Sequence, residues 1–240
     1  MMSETTLKAT SEAWSAPARL ISGMAHDART PLGSVLMMAE LLAADPKGNL
    51  DPKQVTYAGK IRQAAVEVRD LLETVNLLAK LAARTIEPAP AAVDLRSLVE
   101  RTVATVLEGS DSPASLAFDA SLPERVEADA ERLGQCLHQL FASAHTASPG
   151  EASMRCGLSD GFLVCEVSDR GETPGEDDLA TLFEPFAAGK RRWRSGGGKN
   201  LGLPLAHALA HWAGGGLEAL ARQDGEGLTF RLTWPVGSSS

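Results

Sequence analysis

The sequence predicts an α+β fold in two parts. An N-terminal antiparallel helical hairpin dimerises into a four-helix bundle, and a C-terminal α/β sandwich follows it. Three observations carry this reading. Two long segments with helical apolar spacing flank a run of turn formers at 45–52. A proline- and alanine-rich joint spans Thr85-Ile86-Glu87-Pro88-Ala89-Pro90-Ala91-Ala92. Beyond it, short β-prone runs alternate with amphipathic helical stretches as far as about residue 236. The divisions are a flexible terminus at 1–10, the hairpin at 11–85, a linker at 86–92, the sandwich at 93–236 and a flexible tail at 237–240.

The first helix is expected over 15–44, with Ser15 as cap and Pro17 in the first turn, where a missing N–H costs little. Asp45-Pro46-Lys47-Gly48-Asn49-Leu50-Asp51-Pro52 forms the loop. The second helix repeats apolar residues at Ala58, Ile61, Ala65, Val68, Leu72, Val75, Ala79 and Ala82. That alternation of threes and fours is a heptad seam. One hairpin cannot enclose both its own apolar faces, so a second copy is the expected partner.

In the second part, Asp94 caps a helix at 95–107, and strands are expected near 116–118 and 126–128. Asp129 caps the next helix, whose apolar positions are Leu133, Cys136, Leu137, Leu140, Phe141 and Ala144. Strands at 153–158 and 162–168 flank the turn Ser159-Asp160-Gly161, a short helix covers 176–183, and a glycine- and arginine-rich loop covers 187–199. A helix at 201–212 and strands at 217–221 and 228–234 close the domain, giving a mixed sheet covered by helices on one face.

Composition narrows the classes. The chain has 240 residues, 44% hydrophobic and 22% charged, enough for a substantial core. A net charge of -8 argues against nucleic acid as the main partner. Three cysteines, Cys136, Cys156 and Cys165, lie in apolar surroundings and read as reduced core residues of a cytoplasmic protein. No apolar run reaches the length of a membrane span, and no signal-peptide or sensor pattern is recognised. No metal cluster is expected, because His138 and His145, two helical turns apart, make a poor metal pair.

The stretch Met24-Ala25-His26-Asp27-Ala28-Arg29-Thr30-Pro31-Leu32 organises the hairpin. His26 falls off the apolar stripe and is expected to face solvent. Imidazole forms covalent intermediates when a neighbouring base assists. Asp27 can orient the ring or take its proton. Thr30 lies one turn further along the same face, and Pro31 removes a backbone hydrogen bond just beyond it.

This stretch resembles the H box of sensor histidine kinases, with His26, Asp27, Thr30, Pro31 and Leu32 matching residue by residue. The resemblance implies that His26 is the phosphoacceptor, Asp27 its acid/base partner and Thr30 the water-positioning residue of phosphatase chemistry. Residues 93–236 are similar to the ATP-binding Bergerat domain of the same family. Its N box corresponds to the helix around Gln139 and Ser143, which stand where the family has asparagines; Ser143 takes the place of the magnesium ligand, and Thr146 that of a lysine. Asp169 and Gly171 match the first glycine box, whose aspartate binds the adenine amino group, with Thr173 in place of the second glycine. Leu182-Phe183-Glu184-Pro185-Phe186 matches the F box. Gly198 and Gly202 match the second glycine box, with Asn200 in place of a glycine, and Lys190, Arg191, Arg192 and Arg194 precede it as a basic stretch.

ATP and magnesium are therefore the implied cofactors, held by boxes that have lost the magnesium asparagine and two glycines. The reading drawn from these losses is a two-component histidine phosphotransferase, with His26 exchanging phosphoryl groups with response-regulator receiver aspartates. The first alternative is a cytoplasmic ATP-dependent histidine kinase that autophosphorylates His26. The second is a non-enzymatic pseudokinase scaffold. The expected partners are receiver domains and a second copy of the chain, with neither nucleic acid nor membrane.

Overall fold

The computed structural model describes residues 4–44, 48–120, 122–185 and 201–238. They fall into two units, Met1–Ile86 and Glu87–Ser240.

The first unit is two helices, α1 (Glu4–Ala44) and α2 (Pro52–Ala82). Helix α1 starts inside the stretch expected to be a flexible terminus, and it runs through Pro17 and Pro31 without interruption. Leu7, Lys8, Ala9 and Glu12 favour helix, and each proline removes one hydrogen bond from a ladder of 41 residues. Helix α2 opens with a capping box. Asp51 accepts from the backbone N–H groups of Lys53 at 2.7 Å and Gln54 at 2.9 Å, and the Gln54 side chain accepts from the Asp51 N–H at 2.9 Å. Pro52 occupies the first helical turn, where no donor is needed.

The heptad seam of α2 divides between two faces. Ala58, Ala65 and Ala79 are buried, while Ile61 and Val68 are 49% and 47% exposed. Alanine is small enough for close approach of two helices, and Ala25 and Ala39 of α1 are buried as well. Ile21 packs on Ala79 and Ala83, and the Ser22 hydroxyl donates to the Asn76 side-chain oxygen at 2.6 Å across the hairpin. The larger apolar residues point outward: Leu20, Met24, Met38, Leu41, Tyr57 and Leu71 are all exposed.

The second unit is built on a five-stranded mixed sheet in the order β2-β4-β5-β7-β6. Its strands are β2 (Ser115–Phe118), β4 (Ser153–Ser159), β5 (Phe162–Ser168), β6 (Gly216–Ala221) and β7 (Leu228–Pro235). Strand β2 runs parallel to β4, and the other pairs are antiparallel. Strand β7 alternates strictly: Leu228, Phe230, Leu232 and Trp234 are buried, and Arg231 between them is exposed. On the outer face Arg231 donates to Glu166 of β5 at 2.8 Å, its register partner. The inner face is covered by α4 (Ala130–Ala147) and α6 (Gly202–Trp212), with α3 (Leu95–Leu107) packed on α4. Fully buried Leu133, Leu137, Leu140 and Phe141 of α4 meet this face, each contributing about 1.5–3 kcal/mol by leaving water.

A second, three-stranded sheet joins β1 (Ala91–Asp94), β3 (Arg125–Ala128) and β8 (Gly237–Ser238). It corrects two expectations. Strand β1 begins inside the stretch read as a linker, and β8 lies in the stretch read as a flexible tail. Both are drawn out by pairing with β3, Val126 standing opposite Val93 on one side and Ser238 on the other. The short helix α5 (Glu176–Ala180) ends earlier than expected, and turns follow it.

Candidate functional site

Each unit carries one candidate site. In the hairpin, Ala25 is 4% exposed and anchors its turn of α1 against α2, while His26 and Asp27 turn outward. Thr30 and Pro31 are exposed as well. His26 and Thr30 are four residues apart, so they share a face. Pro31 has no N–H to give to the Asp27 carbonyl four residues before it. The Ser34 hydroxyl donates to the Thr30 carbonyl at 3.3 Å. Nothing lies within 4 Å of where a side chain on Gly23 would begin, so the turn before His26 stays open to an incoming group. The expected solvent-facing imidazole is where the sequence put it.

In the second unit the site grows along one stripe of α4. Its N-terminus is held by Asp129, which accepts from the Arg132 N–H at 3.0 Å. Gln139, Ser143 and Ala147 follow one another at helical spacing on one flank of this helix. At one end a Cβ on Gly202, at the start of α6, would come within 2.6 Å of the Gln139 side-chain oxygen. At the other a Cβ on Gly171 would come within 2.9 Å of the Ala147 Cβ. Thus two of the three glycines expected from the family boxes, Gly171 and Gly202, close on the same stripe. Between them the Ser143 hydroxyl is buried and meets no hydrogen-bond partner among the described residues. Gly198 and the basic residues Lys190, Arg191, Arg192 and Arg194 lie outside the described residues, as do Phe186 and Asn200.

Asp169 directly follows β5 and is fully buried. Its carboxylate accepts from the Gly171 N–H at 2.9 Å and the Leu228 N–H at 3.3 Å, and its own N–H donates to the Leu228 carbonyl at 3.0 Å. The following loop is pinned twice. Ser148 accepts from the Arg170 N–H at 2.9 Å, and Thr173 accepts from the Gly227 N–H at 2.8 Å. The threonine that replaces a family glycine thus ties this loop to the turn between β6 and β7. Gly227 needs its glycine, since φ is +111° and a Cβ would lie 2.1 Å from the Asp169 carbonyl oxygen. Ser148, Ala147 and Gly227 were not singled out in the sequence; only the turn composition around Gly227 offered a signal.

The F-box residue Phe183 stacks on His207 of α6, ring centroids 4.7 Å apart. Cys136, Cys156 and Cys165 are buried free thiols, and burial pushes the Cys136 and Cys165 thiols well above their ordinary range. Among the described residues no group of three or more metal-ligating side chains occurs, and no helix is long and apolar enough to cross a membrane.

Comparison with known proteins decides the family. Residues 18–84 match the His Kinase A (phospho-acceptor) domain, and residues 128–238 match the histidine kinase-, DNA gyrase B-, and HSP90-like ATPase domain. The chain belongs to the histidine kinase family. Histidine protein kinase DivJ of Caulobacter vibrioides is 27% identical over 223 residues, covering 91% of this chain and 37% of DivJ. Sensor histidine kinase MtrB of Mycobacterium tuberculosis is 32% identical over 229 residues, covering 91% of this chain and 39% of MtrB. The chain therefore spans less than half the length of these histidine kinases. The full-length structure of ShkA in complex with AMPPNP superposes with a TM-score of 0.76 at 26% identity, over 92% of this chain and 46% of ShkA. The histidine kinase AdeS of Acinetobacter baumannii shares the fold, with a TM-score of 0.60 at 20% identity over 88% of this chain and 97% of AdeS. These histidine kinase relatives favour the ATP-dependent alternative over the phosphotransferase reading drawn from the damaged boxes.

Proposed function

We propose that this chain is the catalytic core of an ATP-dependent histidine kinase, with His26 as phosphoacceptor and response-regulator receiver domains as partners. One observation carries it: Gly202 and Gly171 close on the two ends of the Gln139–Ser143–Ala147 stripe beside buried Asp169. The residues present fit a nucleotide. Two glycine backbones approach α4 where a Cβ would clash, and the buried Ser143 hydroxyl between them meets no hydrogen-bond partner among the described residues, which leaves it available to a polar ligand. Asp169 and Gly171 would hold the base, Gly198 and Gly202 the phosphates, and Ser143 or Gln139 would lend an oxygen to magnesium. ShkA, the structural relative, binds AMPPNP, which supports the same use here.

Bound ATP supplies the phosphoryl group. The residues of the chain do the rest. His26 offers an exposed ring nitrogen as nucleophile, and Asp27 accepts the proton the ring gives up. Thr30 positions water for the separate, hydrolytic phosphatase chemistry. The working units are the α1–α2 hairpin, within Met1–Ile86, for phosphoryl acceptance and Glu87–Ser240 for nucleotide. The exposed apolar residues of the hairpin support a homodimeric four-helix bundle. Three free, buried thiols support a reducing, cytoplasmic compartment.

A second reading keeps a specific basis. Ser143 provides a hydroxyl where the family keeps an amide, and magnesium tolerates little change of reach. In that reading the chain passes phosphoryl groups between receivers without ATP. Incubation with magnesium-ATP followed by intact-mass measurement separates the two. Autophosphorylation adds one phosphoryl group that is lost in acid and absent from His26→Ala. If label arrives only from a phosphorylated receiver, the phosphotransfer reading replaces the kinase.

A further inference from the structure

Two histidines of α6 aim the same ring nitrogen at each other. His207 and His211 are four residues apart on one face of the helix, with Nε2 atoms 3.0 Å apart. Their rings stand nearly perpendicular, at 74°, with centroids 4.3 Å apart. Phe183 stacks on the His207 ring from a different segment, 12° from parallel, and holds its orientation. Burial, and then the neighbouring His211, push the His207 pKa below its ordinary value. The neutral ring that results is the form that binds metals.

The spacing selects a coordination geometry. Two imidazole nitrogens bound at about 2.0–2.1 Å to one ion sit about 3.0 Å apart at a right angle, and about 3.4 Å apart at a tetrahedral angle. The observed 3.0 Å matches the right angle. Tetragonal nitrogen sites suit copper(II) and nickel(II), and copper(II) binds most strongly in the divalent series. We propose that His207 and His211 form a two-nitrogen chelate for a tetragonal divalent transition-metal ion, copper(II) above all. No third ligating side chain joins them among the described residues. The site uses neither His26 nor the α4 stripe, so it stands apart from the kinase reading.

The test is copper(II) titration of the full chain at about pH 7.5, followed by calorimetry and pulsed EPR. One ion binds, and the spectra report two equatorial imidazoles. His211→Asn, at an exposed ring, and His207→Asn each weaken binding at least ~10-fold and leave one imidazole. His26→Ala leaves both readings unchanged. Should His207→Asn fail to fold, by circular dichroism, the exposed His211 variant carries the test alone. A spectrum with one imidazole or none in the unsubstituted chain overturns the proposal and leaves a plain hydrogen-bonded pair. Equal affinity in the His211 variant overturns it too.

Discussion

Gly202 at the start of α6 faces the Gln139 side chain of α4 so closely that an added methyl group would lie 2.6 Å from its oxygen. The obstacle is the free end of a flexible side chain, which can swing aside. Gly202→Ala should therefore change stability by less than about 1 kcal/mol in thermal unfolding. It displaces Gln139 and crowds that helix start, so nucleotide affinity measured by calorimetry should fall about 10-fold, or about 1.4 kcal/mol.

The opposite end of the stripe behaves differently. A Cβ on Gly171 would meet the Ala147 Cβ at 2.9 Å and its backbone oxygen at 3.0 Å, and neither can move without its helix. Gly171→Ala should cost about 1–3 kcal/mol in urea unfolding. Gly227→Ala should cost more, because a Cβ at 2.1 Å from the Asp169 carbonyl adds to a backbone that side chains avoid.

Thr173→Ala removes the acceptor for the Gly227 N–H, which is partly buried. A loss of about 1 kcal/mol is expected by chemical denaturation. Thr173→Ser should keep most of it, since the hydroxyl remains.

The pH dependence follows from His207. Its folded pKa is lowered by burial and by His211, so the unfolded chain binds more protons in the window below about 6.5. The stability due to this group is present above that value and is lost as the pH falls through the folded pKa. Thermal unfolding midpoints should drop between about pH 7.5 and 5.5, and His207→Gln should flatten that drop.

The hairpin tests assembly. Val68 is 47% exposed on a helix whose buried positions already face α1. Val68→Glu should leave helicity intact and shift the mass in light scattering from dimer to monomer. An unchanged dimer would place its interface elsewhere.

Much of this molecule could be read from local pattern. The threes and fours of α1 and α2, the alternation of β5 and β7, and the caps Asp94 and Asp129 are effects of neighbours in the chain, so the helices and the main sheet were legible. So was His26, because an off-stripe residue on an amphipathic helix must face outward. The edge strands β1 and β8 were not. Four and two residues cannot show a period, and only β3 draws them out. The α2 seam looked continuous but divides, since which half meets α1 depends on the depth at which alanines let two helices approach. The stacking of Phe183 on His207 and the closing of two glycines on one helical stripe join segments far apart in the chain. Order along the chain determined the elements, the exposed imidazole and the family boxes. Long-range packing alone decided which of those residues meet, because contact across many residues is set by how surfaces fit rather than by any repeat in the sequence.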